Sequence, residues 1–202
     1  MELILRSLSQ PNQEPSQFVL FRSVASFQKK GTRRLVEACR LLDNQGLDFR
    51  CTIIGGGPEH LPLRQLIEAR GLDRIVELAG PKSQTEIVEL LAQSQIFAFP
   101  ARRDEAGDQD NLPTVLIEAM ASGLPVVTSS LAGIPEIITD QINGILIPQP
   151  APDTLASAIR GLLLDPKKRE NLGASGLSTA REKFSLAATV QELIAIFESQ
   201  IG

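Results

Sequence analysis

Asp110 and Glu118, with seven residues between them, bracket the segment with the most chemical potential, Gly107-Asp-Gln-Asp-Asn-Leu-Pro-Thr-Val-Leu-Ile-Glu-Ala-Met-Ala-Ser-Gly123. A proline is tolerated in the first helical turn because its missing N–H would have no helical partner there, so the pattern predicts a helix beginning at Pro113. Asp110 then lies on the loop before that helix, and Glu118 lies one turn beyond Thr114 on the same face. Backbone N–H groups at Asn111, Leu112 and Thr114 would point out of the helix start, where the helix dipole stabilises an anion by about 0.3–1 kcal/mol. Two carboxylates flanking an anion-binding helix start suit a ligand with hydroxyl-rich ends and a diphosphate middle. A nucleotide sugar has that layout. Asp110 also has a plainer reading, as the N-cap of the same helix.

A second loop, Ile53-Ile54-Gly55-Gly56-Gly57-Pro58, sets three glycines after an apolar run, with Pro58 suited to opening a helix. Glycines let a backbone approach a phosphate closely, and a tight turn without ligand uses the same residues. A dinucleotide fingerprint fits poorly. Its third glycine position is His60, the loop follows the second strand, and Glu77 falls inside a strand. His60 reads as an exposed first-turn residue. It is the only histidine, and the chain has no Tyr and no Trp. Two-histidine chemistry, including most zinc sites, is therefore excluded, as are the common serine triads unless His60 serves. Asp104, Glu105, Asp108 and Asp110 lack the regular spacing of a calcium loop. Arg102 and Arg103 beside them suit local ion pairs on a solvated loop, each worth little. No metal is expected.

These loops must be held by something, and the apolar pattern says what. Short, mostly continuous apolar runs alternate with segments of helical period, which is the signature of an α/β fold with a parallel sheet covered on both faces. The expected strands are 18–24, 49–54, 75–78, 96–99, 125–128 and 144–147. Leu35, Ala38, Cys39 and Leu42 keep one helical stripe, and Val115, Leu116, Ala119 and Met120 another. Leu155, Ala158, Ile159, Leu162 and Leu163 form a third, followed by Asp165-Pro166 as N-cap and first helical residue. A last helix would carry Leu186, Val190, Leu193, Ile194 and Phe197. Residues 1–17 are polar, hold two prolines and are expected to have little regular structure, leaving 18–202 as one α/β domain. Open sheets of this kind bind ligands outside the carboxyl ends of their strands, which marks residues 25–31, 55–58, 79–83, 100–112 and 129–133 as the loops of interest.

Composition sets the outer limits. Of 202 residues, 20 are Lys or Arg and 24 are Asp or Glu, a net charge of −4 that argues against a nucleic-acid backbone as partner. No apolar run approaches the roughly 20 residues of a membrane-spanning helix, and the first ten residues are too mixed for a signal peptide. A cytoplasmic chain is expected. Cys39 and Cys51 cannot staple a chain of this length and read as core hydrophobes in a reducing compartment.

Asp110-x7-Glu118 followed by Ala-Met-Ala-Ser-Gly-Leu-Pro-Val-Val resembles the Glu-x7-Glu motif of the retaining glycosyltransferases of family 4, also called group 1. Gly55 to Pro58, Leu78-Ala79-Gly80, and Gly133-Ile134-Pro135-Glu136 with the Asn143-Gly144 turn continue the resemblance, which runs from about Phe18 to Phe197. Within the family the likeness is greatest to exopolysaccharide enzymes of the colanic-acid type. The resemblance implies the C-terminal half of a GT-B fold, a Rossmann-like doubly wound sheet of about six strands. It implies a nucleotide-sugar donor, Asp110 on the sugar hydroxyls, Glu118 on the ribose hydroxyls, and amides from Asn111 through Leu112 and Pro113 to Thr114 around the diphosphate. It further implies Lys30 on the leaving phosphates, and the base near Pro81 and Lys82 beside Gly55 and Gly57. No metal or other cofactor is implied, and the N-terminal acceptor domain of the family is absent from these 202 residues.

Two departures stand out. Asp110 is one methylene shorter than the family's glutamate, and a misplacement of about 1 Å can cost on the order of a hundredfold in rate. The family's phosphate-binding Arg aligns with Ser26, leaving Lys29, Arg22 or Arg102 to supply a second cation. The resemblance thus predicts the donor-binding domain of a hexosyltransferase in polysaccharide biosynthesis, peripheral at the inner membrane face in the full enzyme and inactive without its acceptor domain. Two other readings stay open: a non-catalytic nucleotide-sugar-binding module, and half of a sugar-nucleotide epimerase.

Overall fold

A computed structural model describes residues 16–20, 31–102 and 113–185. Six parallel strands form one sheet: β1 (Ser16–Leu20), β2 (Phe49–Ile54), β3 (Val76–Gly80), β4 (Ile96–Phe99), β5 (Val126–Ser129) and β6 (Ile145–Ile147). Their order across the sheet is β3-β2-β1-β4-β5-β6. The chain therefore winds outward in one direction to β3, returns to lay β4 beside β1, and winds outward in the other direction. Phe18 is the hinge of this reversal, level with Cys51 of β2 on one side and Ile96 of β4 on the other. This is the doubly wound arrangement that the alternating sequence pattern predicts.

The strand bounds shift slightly from expectation. β1 begins at Ser16, because its ladder to β2 runs from Ser16 opposite Phe49, so Ser16 and Gln17 belong to the sheet. Backbone pairing needs no apolar side chain, which is why the polar start was not recognised. Residues 21–24 of the expected first strand lie outside the described residues, as do Leu186 and the rest of the expected last helix. β3 runs on to Gly80, where an irregularity between Ile53 and Ile54 of β2 shifts the register.

Between the strands lie α1 (Thr32–Asp43), α2 (His60–Ala69), α3 (Gln84–Ala92), α4 (Thr114–Ala121), α5 (Ile134–Ile137), α6 (Pro152–Leu164) and α7 (Pro166–Phe184). Reversal of winding sends them to opposite faces. Leu35, Val36, Cys39 and Leu42 of α1 bury against Cys51, Ile53, Ile96, Ala98 and Val127, together with residues of α2 and α6. Ile87 and Leu91 of α3 and Val115, Leu116, Ala119 and Met120 of α4 pack on the other face with Phe97, Phe99 and Val126. Alternate residues of β4 and β5 thus serve different cores, as the two-residue period of a strand requires. Cys39 and Cys51 are fully buried free thiols in the first core, as expected. Complete burial, and then the contact with Cys39, push the Cys51 thiol up, which keeps it protonated.

Helix α7 starts as the sequence predicts, with the Asp165 carboxylate accepting the Lys168 N–H at 2.9 Å and Pro166 in the first turn. It crosses α4 on a face of small residues. A Cβ on Gly173 would stand 2.2 Å from the Gly123 carbonyl oxygen, so only glycine permits this approach. Among the described residues, no helix is long and apolar enough to cross a membrane. Gly173→Ala is expected to destabilise the chain by about 1–3 kcal/mol in denaturant unfolding, since the obstacle is backbone. Gly161→Ala, on α6 with nothing within 4 Å, is expected to be neutral or to stabilise by up to about 1 kcal/mol. Equal effects of the two would contradict the close crossing.

Candidate functional site

The carboxyl ends of β1 and β4 are where the winding reverses, and the helix starts diverge there to opposite faces of the sheet. On one face, α4 begins at Thr114 and not at the expected Pro113. Pro113 has ψ 102°, an extended conformation, and holds the N-cap position, where its carbonyl accepts the Leu116 N–H at 3.0 Å. That position is therefore not Asp110's, and the plainer reading of Asp110 loses its basis. Pro113 is buried and offers no side-chain cap, which leaves the Thr114 and Val115 N–H groups at an uncapped helix start. Thr114 is exposed and Glu118, one turn on, is half-buried, while Val115, Leu116, Ala119 and Met120 face the core. The Thr114–Glu118 edge is thus turned away from the sheet, as the spacing predicts. Asp110, Asn111 and Leu112 lie outside the described residues, as do Asp104, Glu105 and Asp108.

On the other face, α1 begins after Gly31, whose φ of 67° lies in the left-handed region. A Cβ there would stand 2.3 Å from the Pro100 carbonyl oxygen. Glycine thus lets the start of α1 rest directly on the end of β4, against the segment that leads to α4. Lys30, one residue earlier, lies outside the described residues, with Ser26, Lys29 and Arg22. Arg102, two residues past Pro100, is half-buried.

The glycine loop and the loop after β3 form a single unit. The Gly55 N–H donates to the Gly80 carbonyl at 2.8 Å, and a Cβ on Gly56 would meet Pro81 Cγ at 3.0 Å. Gly55 and Gly57 adopt φ of 131° and 120°, conformations that a side chain would strain. Gly55 and Gly56 thus hold their loop against Gly80 and Pro81 at the carboxyl ends of β2 and β3, with Gly57 and Lys82 the next residues along each loop. Pro58 does not open the next helix. It stands in a turn, and α2 begins at His60, whose N–H donates to the Gly57 carbonyl at 3.1 Å. His60 is half-buried there rather than exposed, because that turn folds its backbone onto the glycine loop.

Lys82 is engaged by its neighbour. Its Nζ lies 3.0 Å from Glu86 Oε1, while Glu86 Oε2 accepts the Ser83 N–H at 2.8 Å and the Ser83 hydroxyl at 2.7 Å. The Ser83 Oγ accepts the Glu86 N–H in return, a capping box that opens α3. Its sequence signal is Ser83-Gln-Thr-Glu86, a serine three residues before a glutamate. The backbone and hydroxyl donors of Ser83, followed by the Lys82 ammonium, hold the Glu86 carboxyl down at about 2. The chemistry this edge can perform is recognition of a polyanion with polar ends, by helix starts, glycine backbone and one half-buried carboxylate.

Residues 6–178 match the family described as "Glycosyl transferases group 1". The chain belongs to that family. This group 1 domain is 41% identical over 132 residues to the amylovoran biosynthesis glycosyltransferase AmsK of Erwinia amylovora, covering 65% of this chain and 32% of that protein. It is 40% identical over 122 residues to WcaL of Escherichia coli, a protein named for a glycosyltransferase role in colanic acid biosynthesis, covering 60% of this chain and 30% of WcaL. It therefore spans less than half the length of these relatives. Among solved structures, Anabaena HepE in complex with UDP-glucose superposes with a TM-score of 0.76 at 22% identity, covering 98% of this chain and 52% of HepE. TarM of S. aureus gives 0.78 at 21%, covering 94% and 37%. The group 1 domain has the fold of one Rossmann-like half of a GT-B glycosyltransferase, with the six-stranded sheet that the resemblance implied.

The Glu86 clamp carries a pH expectation. Its folded-state pKa lies below the ordinary carboxylate value of 4.5, so its contribution to α3 is complete above that value and is lost as pH falls through about 2. A carboxyl titration by NMR should place the Glu86 midpoint near that value, and Ser83→Ala should move it upward. An ordinary midpoint in the unaltered chain would contradict the clamp.

Proposed function

We propose that this chain is the C-terminal, donor-binding domain of a retaining group 1 glycosyltransferase, and that its ligand is a nucleoside diphosphate sugar. One observation carries the reading: at the reversal of strand order, the uncapped start of α4 stands one turn from the half-buried Glu118, on an edge turned away from the core. Oriented N–H groups fit the diphosphate, and a carboxylate at that distance fits the ribose hydroxyls. In this reading Asp110 accepts hydrogen bonds from the sugar hydroxyls. Amides from Asn111 to Thr114, excepting Pro113, hold the phosphates, and Lys30 neutralises the leaving group. Gly55 and Gly57 with Pro81 and Lys82 frame the base. Lys82 contributes its aliphatic stem to that wall, since its ammonium is already paired with Glu86.

The reaction breaks the bond between the sugar's anomeric carbon and the phosphate oxygen, and forms one from that carbon to an acceptor hydroxyl, which releases its proton. Charge gathers on the departing diphosphate. The domain's part is to stabilise that charge with groups already in place, which is where preorganised donors lower a barrier most. The relatives named for amylovoran and colanic acid biosynthesis support a role in polysaccharide biosynthesis, for which we take the donor to be hexosyl and the acceptor a saccharide or lipid-linked saccharide. In this reading the full enzyme is cytoplasmic and works at the inner membrane face. An acceptor-binding domain, outside these 202 residues, would close the cleft. The second reading, a nucleotide-sugar-binding module without catalysis, is favoured by Ser26 standing where the family has its phosphate-binding Arg.

Titration of uridine and guanosine diphosphate sugars by calorimetry tests the site. One of them should bind, and Glu118→Ala should weaken it by about tenfold or more, as loss of a carboxylate–hydroxyl contact implies. Asp110→Ala should weaken the diphosphate sugar but leave the bare nucleoside diphosphate unchanged. Binding indifferent to both substitutions would refute the assignment. The purified chain should release no sugar to an acceptor until an acceptor domain is supplied, and transfer by the chain alone would refute the division of labour.

A further inference from the structure

We propose that the hydroxyls of Thr32 and Ser129, with the first amides of α1, form a second anion subsite that takes one phosphate of the donor across the strand reversal from the start of α4. The inference rests on the donor-binding reading above and adds residues to it.

Thr32 and Ser129 are each only 2% exposed, and the Oγ atom of each has no hydrogen-bond partner. A buried hydroxyl without a partner is uncommon because it loses its bonds to water and gains none in return. Here two occur at the same edge of the sheet and on the same face. Thr32 is the first residue of α1 and heads its core-facing stripe, with Leu35, Val36 and Cys39 behind it. Ser129 ends β5, in register with Val127, whose side chain belongs to the core that α1 covers. Phe99 pairs with Thr128, so Pro100 and Ser129 are level, and Gly31 rests on the Pro100 carbonyl. Thr32 and Ser129 therefore stand on either side of the end of β4, on the same face of the sheet.

The neighbouring hydroxyl shows that the strand end does not itself impose this. Thr128, pointing to the opposite face, donates to the Phe99 carbonyl at 2.8 Å. Ser129 makes no such bond, although Pro100 beside the end of β4 keeps its carbonyl. Nor does α1 use Thr32 to close its own start, since Gly31 holds the N-cap position and provides no side-chain cap. Two donors with no protein acceptor, beside the positive end of a twelve-residue helix, match one phosphate group. α4 offers a second helix start without a side-chain cap on the opposite face. A diphosphate lying across the reversal meets one helix start per phosphate.

Calorimetry on the full 202-residue chain, with uridine and guanosine diphosphates and the bare nucleosides as probes, separates the possibilities. Thr32→Val and Ser129→Ala keep shape and remove only the hydroxyl. Each should weaken diphosphate binding by about tenfold or more, the loss of one hydrogen bond to a charged group, and leave nucleoside binding unchanged. Thr32→Ser should keep the affinity, and the melting temperature of Thr32→Val should not fall. If the unaltered chain binds a diphosphate and both variants bind it equally well, the inference is overturned while the donor reading stands. A loss equal for diphosphate and nucleoside, or one that follows a fallen melting temperature, would also overturn it and assign the hydroxyls a packing role. If the unaltered chain binds neither diphosphate, both readings fall.

Discussion

Strand β1 is paired on both sides, to β2 and to β4, and the organisation of the site depends on that double pairing. A strand with neighbours that wind away in opposite directions sends the following helices to opposite faces. Their starts separate at its carboxyl end, so a crevice opens there. Nothing in a parallel sheet demands such a reversal; a sheet wound in one direction only would place every helix on one face. The reversal also explains why the two cores are distinct. Ile96 and Ala98 of β4 serve one, Phe97 and Phe99 the other. The four residues of β4 are nearly sealed on both sides, and the rigidity of this strand fixes where Pro100 and the segment beyond it begin.

Around that crevice the chain relies on backbone more than on side-chain charge. Neither α1, behind a left-handed glycine, nor α4, behind an extended proline, has a side-chain cap; α2, α5 and α6 lack one as well, while Ser83 closes α3 and Asp165 closes α7. An uncapped helix start leaves its first N–H groups without a side-chain partner, and α1 and α4 are the two that start at the reversal. A single Cβ would collide with backbone where Gly31 meets Pro100 and Gly173 meets Gly123, and would crowd Pro81 where Gly56 meets it.

The sequence made the sheet legible because its strands are buried on both faces and so appear as short apolar runs bounded by glycine, proline or polar residues. Phe49 to Ile54 and Ile96 to Phe99 were readable to the residue for that reason. β1 was less so, since Ser16 and Gln17 are polar residues that belong to the ladder. The helix after Pro113 was legible in kind, but its first residue was not, because proline suits the N-cap as well as the first turn and only ψ decides. Glu118 could be placed from spacing. The junction of Gly56 with Pro81 could not, since it depends on β2 and β3 being neighbours, and neither could the hydroxyls of Thr32 and Ser129. Whether a hydroxyl is buried and unpartnered depends on which helix covers which strand end, and no local pattern records that.

The central claim is that one edge of the sheet, at the strand reversal, is the ligand-binding edge. The most direct measurement is an amide shift map by NMR as a uridine or guanosine diphosphate sugar is added to the 202-residue chain. The largest changes should fall at Thr32, Gly55 to Gly57, Thr114 and Val115, with Gln141, Ile142 and Ser175 at the opposite edge unmoved. Shifts concentrated at that opposite edge, or spread evenly over the chain, would contradict the account.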